Sequence, residues 1–193
     1  MIKSILGMVV LEQGKIYIDG EPIHTNGLYR QKIDYLPQIA NFPGNLNVKE
    51  LIRMIKDLRG IKANEEELIQ LFGLTPFLDK KLSNLSGGTK QKVNIVLAFM
   101  FDSPIIILDE PTSGLDPVAL LSLKKLINEA KEKGKTVLVT SHIMSFVEEI
   151  SDEIVFLLEG KIYFKGTLKE LREKTNEADL EHAIANNLIE HNA

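Results

Sequence analysis

Two adjacent carboxylates, Asp109 and Glu110, close the apolar run Ile105-Ile106-Ile107-Leu108. A continuous β-branched run marks a strand buried on both faces, and the carboxyl end of such a strand is where an open α/β sheet places its ligand site. There, one carboxylate can hold Mg²⁺ through water and the next can orient or activate a nucleophilic water. A strand that merely ends in a polar turn would look the same. Leu85-Ser86-Gly87-Gly88-Thr89-Lys90-Gln91 offers a second kind of chemistry. Ser86 adds a hydroxyl donor, Gly87 and Gly88 let the backbone approach a ligand closely, and the helix that follows aims its N-terminal amides at an anion. Taken alone, Ser-Gly-Gly is equally a turn that caps a helix. His142 follows the strand ending Val139-Thr140-Ser141 and could contact a phosphate or hold a water at the same site. Gln38 follows Tyr35-Leu36-Pro37 at another strand end. Neither is informative by itself.

The elements that must position these residues follow from periodicity and punctuation. Ile16-Tyr17-Ile18 between Gly14 and Gly20 reads as a short strand, and Lys32 to Leu36 as a second, ended by Pro37. Asn47 looks like an N-cap with Glu50 at the capping-box position, followed by Val48, Leu51, Ile52, Ile55 and Leu58 at helical spacing up to Gly60. Asn64 caps a second helix, closed by Gly73, and Thr75-Pro76 starts a third short turn. After this helical block the pattern changes. The spacing predicts an apolar helix over 88–102, the strand 105–108, a helix from Asp116-Pro117 to Gly134, and a buried strand over 136–140. A helix over 143–150 follows, then a strand over 154–158, a Glu159-Gly160 turn and a strand over 161–164. Strand, helix, strand, helix, strand predicts an α/β layer with parallel strands. The residues from 167 to 193 are polar and partly helical in pattern.

Composition bounds the function. The chain has 193 residues, 44% hydrophobic and 26% charged, and it has no Cys, which excludes a disulfide scaffold and any thiol-ligated metal. A net charge of −4 argues against a broad nucleic-acid footprint, so no nucleic-acid partner is expected. The longest apolar run, Ile95 to Phe101, is far short of the roughly 18 residues of a membrane span.

Order and spacing turn weak signals into a specific one. Gln38, Leu85-Ser86-Gly87-Gly88, Asp109-Glu110, Ser113-Gly114-Leu115-Asp116 and His142 occur in one order. This resembles the nucleotide-binding subunit of ATP-binding cassette (ABC) transporters, over about residues 1 to 170. In that resemblance Gln38 matches the Q-loop, residues 85–91 the signature loop, Ile105 to Glu110 the Walker B strand, residues 113–116 the D-loop and His142 the H-loop.

The resemblance implies a P-loop NTPase (RecA-like) α/β core of the ABC ATPase type with an inserted helical subdomain. The expected boundaries are 1–40 and 86–170 for the two parts of the core, 41–85 for the helical subdomain and 171–193 for a C-terminal tail. It implies ATP and Mg²⁺ as cofactors. Asp109 and Gln38 would support the metal, Glu110 would polarise the attacking water, and His142 would contact the γ-phosphate. Ser86, Gly87 and Gly88 would bind the γ-phosphate of the ATP held by the opposite subunit of a head-to-tail dimer, and Asp116 would serve communication between the two subunits. Thr89 stands where the signature usually has Gln, a change expected to cost little because the glycine amides do not depend on that side chain.

The family also needs a P-loop, G-x-x-x-x-G-K-[ST]. Gly134-Lys135-Thr136 is a decoy, since Glu129 occupies the earlier glycine position and a strand follows the tripeptide. The segment Ile2 to Gly7 matches the helix just after the P-loop, so the chain is read as N-terminally truncated, with the first strands and the P-loop missing and with weak ATP binding of its own. Intact Glu110, His142 and signature residues favour truncation over decay.

By resemblance the function is that of an ATPase subunit, cytoplasmic and peripheral on the inner face of the membrane, that drives a separate transmembrane permease. A non-transport ABC ATPase and a non-hydrolysing regulatory remnant are the alternatives. The run Val93 to Leu121 and the segment His142 to Glu149 are similar to the copper-processing ABC ATPase of nitrous-oxide reductase maturation.

Overall fold

A computed structural model of the chain describes residues 1–23, 27–177 and 179–192. They form two compact units, Met1–Thr140 and Ser141–Ala193. Chain order in the first unit is α1 (Ile2–Ile5), β1 (Tyr17–Ile18), β2 (Glu21–Pro22), a 3-10 turn, β3 (Ile33–Leu36), α2 (Val48–Arg59) and α3 (Glu65–Leu71). Two more 3-10 turns, Thr75–Phe77 and Leu82–Asn84, lead to α4 (Gly87–Phe99), β4 (Ile105–Asp109), α5 (Pro117–Glu132) and β5 (Thr136–Thr140). The strand expected at 16–18 is half of a hairpin. Asp19 and Gly20 both take positive φ, the two-residue reversal that sends the chain straight back as β2.

Capping explains the helical block. The Asn47 side chain accepts the Glu50 amide while the Glu50 carboxylate accepts the Asn47 amide, each at 2.8 Å, and Gly60 in the left-handed region closes α2. Asn64 does not cap α3 as its type suggested; its amide group donates to Glu67 Oε2. Helix α4 ends at Phe99, earlier than the apolar run predicts. The carbonyl of Met100 accepts the Asn64 backbone amide at 2.7 Å and so ties the end of α4 to the start of α3.

The sheet of this unit is β3-β4-β5, all parallel, with Ile107 opposite Tyr35 on one side and Leu138 on the other. β4 is the central strand, and Ile106, Ile107 and Leu108 are buried as the run predicts. β5 departs from its expected burial. Val137, Leu138 and Val139 are half-buried, because among the described residues β5 pairs only with β4. Helix α4 packs on β3 and α5 packs on β5. A cluster of Ile2, Leu6, Ile33 and Ile107 fastens α1 to the sheet.

A buried charge ties α2 to β3. Arg59, at the end of α2, donates to Asp34 Oδ1 and to Ser103 Oγ, both at 2.7 Å, and its guanidinium lies over the Phe101 ring. The Asp34 side chain is only 3% exposed. Burial raises its pKa above the ordinary 3.8, and Arg59, Ser103 and Lys135 offset part of that rise.

The second unit holds α6 (Met144–Ile150), β6 (Ile154–Leu158), β7 (Lys161–Gly166), α7 (Leu168–Thr175) and α8 (Leu180–Asn192). The expectation that 154–158 extends the parallel sheet is corrected: β6 pairs antiparallel with β7. Glu159 and Gly160 both have positive φ, and this tight reversal hands β6 its partner from the next residues of the chain. The tail is more ordered than its polarity suggested: Leu171, Leu180 and Ala183 are buried with Ile154. Of the expected tail 171–193, Ala178 and Ala193 lie outside the described residues. Among the described residues, no helix is long and apolar enough to cross a membrane.

Replacing Arg59 by Met leaves the buried Asp34 without its cation, which is expected to cost roughly 3 kcal/mol of stability in urea unfolding. Asp34 binds its proton more tightly folded than unfolded. Its contribution to stability is therefore fully present below pH 3.8 and is lost as pH rises through the raised native value. Asp34→Asn is expected to remove that loss from the stability–pH profile; an unchanged profile would contradict the assignment.

Candidate functional site

Seven of the eight candidate residues lie in the first unit, and His142 lies in the second. Helix α4 carries or reaches six of the seven, through Ser86, Gly87 and Gly88 and through Pro37, Pro111 and Lys92. Its N-cap is Ser86, whose hydroxyl accepts the Thr89 amide at 3.2 Å and lies 2.9 Å from the Thr89 hydroxyl. The Thr89 side chain thus lies against the Ser86 hydroxyl of the loop. Ser86 and Gly87 are exposed, and Gly87 has nothing within 4 Å of where a Cβ would sit. The Ser86 cap takes the Thr89 amide, and the amides of Gly87 and Gly88 at the start of the helix are of the kind that can donate to an anion.

The next turn of α4 faces inward. Gln91 and Asn94 are 5% and 2% exposed in a helix that also buries Val93, Ile95, Val96 and Ala98. Gln91 Nε2 donates to the Pro111 carbonyl at 2.9 Å, and Asn94 Nδ2 donates to the Pro37 carbonyl at 3.0 Å. Pro111 immediately follows Glu110, and Pro37 immediately precedes Gln38. Two carboxamides therefore hold the exits of β4 and β3 against one helix.

The turn after β4 closes on the start of α4. A Cβ on Gly88 would lie 2.5 Å from the Gly114 carbonyl oxygen, an approach only glycine permits. Asp116 caps α5 through Oδ1, which accepts the Ala119 amide at 2.9 Å, while Oδ2 pairs with Lys92 at 2.5 Å. The Lys92 ammonium and the capped backbone amides hold the Asp116 carboxyl below its ordinary range.

At the end of β4, Asp109 stands opposite Thr140 on β5. Thr140 Oγ1 donates to Asp109 Oδ1 at 2.6 Å. Glu110 takes φ +50, a conformation uncommon outside glycine, and breaks from the strand. Tyr35 on β3 senses the site: burial, and then the Asp109 carboxylate, raise its phenol. His142 is exposed in the second unit, just after Ser141, whose hydroxyl accepts the Ile143 amide at 3.1 Å. There it lines a depression of about 390 Å³ with Ser145, Glu148, Asp179 and Glu181.

The sequence reading missed Gln91, Lys92, Asn94, Tyr35 and Thr140. Gln91 and Asn94 carried a usable signal, because two polar residues three apart on an apolar helix must find partners once buried. Thr140 carried none: a β-branched residue at the end of a strand needs no further explanation.

The donor set fits Mg²⁺. Among the described residues no group of three or more His, Cys, Asp or Glu could hold a metal ion. Mg²⁺ needs only one or two carboxylates together with waters and substrate phosphates, and Asp109 at the exit of β4 supplies one.

Comparisons with known proteins agree on one family. A family model described as "ABC transporter" matches residues 1–113. The chain is 33% identical over 175 residues to the ABC transporter ATP-binding protein YhaQ of Bacillus subtilis strain 168, covering 88% of this chain and 58% of YhaQ. A solved ATP-binding subunit of an ABC transporter superposes with a TM-score of 0.90 at 32% identity, covering 97% of this chain and 81% of that one. The dimeric post-hydrolysis state of the ATP-binding cassette MJ0796, bound to ADP and phosphate, matches with a TM-score of 0.76 at 26% identity, covering 86% and 78%.

The close approach of Gly88 and Gly114 gives a paired test. Gly88→Ala is expected to lower stability in urea unfolding by about 1–3 kcal/mol as the two segments are forced apart. Gly87→Ala is expected to leave stability unchanged or slightly raised, by at most about 1 kcal/mol. Equal effects would contradict the packing described.

Proposed function

The chain belongs to the ABC transporter family, as one of its ATP-binding domains, and we propose that its residues carry out the water-activating and partner-site half of ATP hydrolysis coupled to a separate membrane permease. The observation that carries this is the frame around α4, where Gln91 and Asn94 hold the chain beside Glu110 and Gln38 while Gly88 meets Gly114.

In this reading Glu110 polarises the attacking water, and its position one residue beyond the Asp109 pair places it at the strand exit where a ligand site forms. Asp109 and Gln38 would hold Mg²⁺, which would neutralise phosphate charge. Ser86 and the amides of Gly87 and Gly88 reach the γ-phosphate of the nucleotide on a second subunit in a head-to-tail dimer. Asp116, fixed by Lys92, carries the contact between subunits. His142 contacts the γ-phosphate. These 193 residues hold no G-x-x-x-x-G-K-[ST] loop.

The helical block 41–85, with Gln38 at its edge, is the docking face for the permease, which places the chain on the cytoplasmic face of the membrane. The reading of the cargo system as copper processing for nitrous-oxide reductase rests on Val93 to Leu121 and His142 to Glu149.

In the assembled transporter, Glu110→Gln is expected to lower ATP turnover at least about 100-fold while ATP-dependent dimerisation persists. Turnover at the wild-type rate in that variant would overturn the assignment. Calorimetry on residues 1–193 alone is expected to show weak ATP binding.

A further inference from the structure

The carboxylate pair depends on a residue that no comparison singles out. Asp109 is the last residue of β4, and the parallel register sets Thr140 of β5 opposite it. The Thr140 hydroxyl hydrogen goes to Asp109 Oδ1 at 2.6 Å, the short separation of a charge-assisted O–H···O⁻ bond. The same hydroxyl oxygen accepts the Glu110 amide at 3.2 Å, and the Thr140 carbonyl shares that amide at 3.1 Å. One side chain thus donates to the first carboxylate and accepts from the backbone of the residue that carries the second.

The backbone gives this contact a task. Glu110 sits at φ +50, where an L-residue is strained. Such a conformation persists only where its surroundings enforce it, and the shared hydrogen bond from the Glu110 amide to Thr140 supplies that enforcement. In the left-handed conformation the chain leaves the strand direction at Glu110, so the two carboxylates need not alternate across the sheet as strand neighbours do.

We infer that Thr140 is a positioning residue that, through its single hydroxyl, fixes the Asp109 carboxylate and the left-handed turn of Glu110 together. It acts through these two groups and touches neither water nor phosphate in this role. The inference rests on the assignment of Asp109 and Glu110 proposed above.

Thr140→Val keeps the shape and the β-branched fit to a strand but removes the hydroxyl; Thr140→Ser keeps the hydroxyl. In the purified chain, the Glu110 amide is expected to exchange with solvent about five- to tenfold faster in Thr140→Val than in wild type, with amides elsewhere in β4 unchanged and Thr140→Ser close to wild type. In the assembled transporter, Thr140→Val is expected to lower kcat about 10- to 100-fold and to raise the Mg²⁺ concentration for half-maximal rate, with KM for ATP within about twofold and recovery in Thr140→Ser. Unchanged Glu110 exchange in Thr140→Val overturns the geometric claim. Accelerated exchange with unchanged kcat and Mg²⁺ dependence overturns the catalytic one. A wild-type transporter without ATPase activity overturns the function proposed for the carboxylates, and the exchange experiment still judges Thr140.

Discussion

Two buried carboxamides set the frame on which the rest of the site depends. Gln91 and Asn94 sit on the inner face of α4, where an unpaired amide would cost about 1–3 kcal/mol. Each meets that demand with a carbonyl at the exit of a different strand, Pro111 after β4 and Pro37 after β3. Apolar packing holds α4 against the sheet without regard to direction. Directional bonds at two points on one helix add a fixed relation between the N-terminal turn of α4 and both strand exits.

The remaining contacts build outward from that frame. Gly88 and Gly114 meet backbone to backbone, and Lys92 holds Asp116 from the same helix. Across the sheet, the exits of β4 and β5 are joined at Asp109 and Thr140. On the far side, Arg59 binds Asp34 on β3, so α2 follows the strand that leads to Gln38. A displacement of the helical block would pass through β3 to Gln38, and from Pro37 to α4.

Much of the fold was legible in the sequence, for identifiable reasons. β4 is announced by four apolar residues ending in two charges, and the ends of α2 by Asn47, Glu50 and Gly60. The order of Gln38, Ser86-Gly87-Gly88, Asp109-Glu110, Asp116 and His142 carried the family. What the sequence concealed falls into two kinds. Pairing choices such as β6 with β7 are decided by a two-residue turn competing with a longer crossover. The supporting residues Gln91, Asn94 and Thr140 have ordinary types for their elements, and only the register of strands and the facing of α4 give them partners.

The most direct test of this account is amide exchange in Gln91→Met and Asn94→Leu, which keep side-chain volume and remove the two hydrogen bonds. Exchange is expected to rise at residues 112–116 in the first variant and at residues 38–40 in the second, with α2 and β4 as protected as in wild type. Unchanged exchange at both strand exits, or a uniform loosening of the whole first unit, would contradict the claim that these two carboxamides hold the site together.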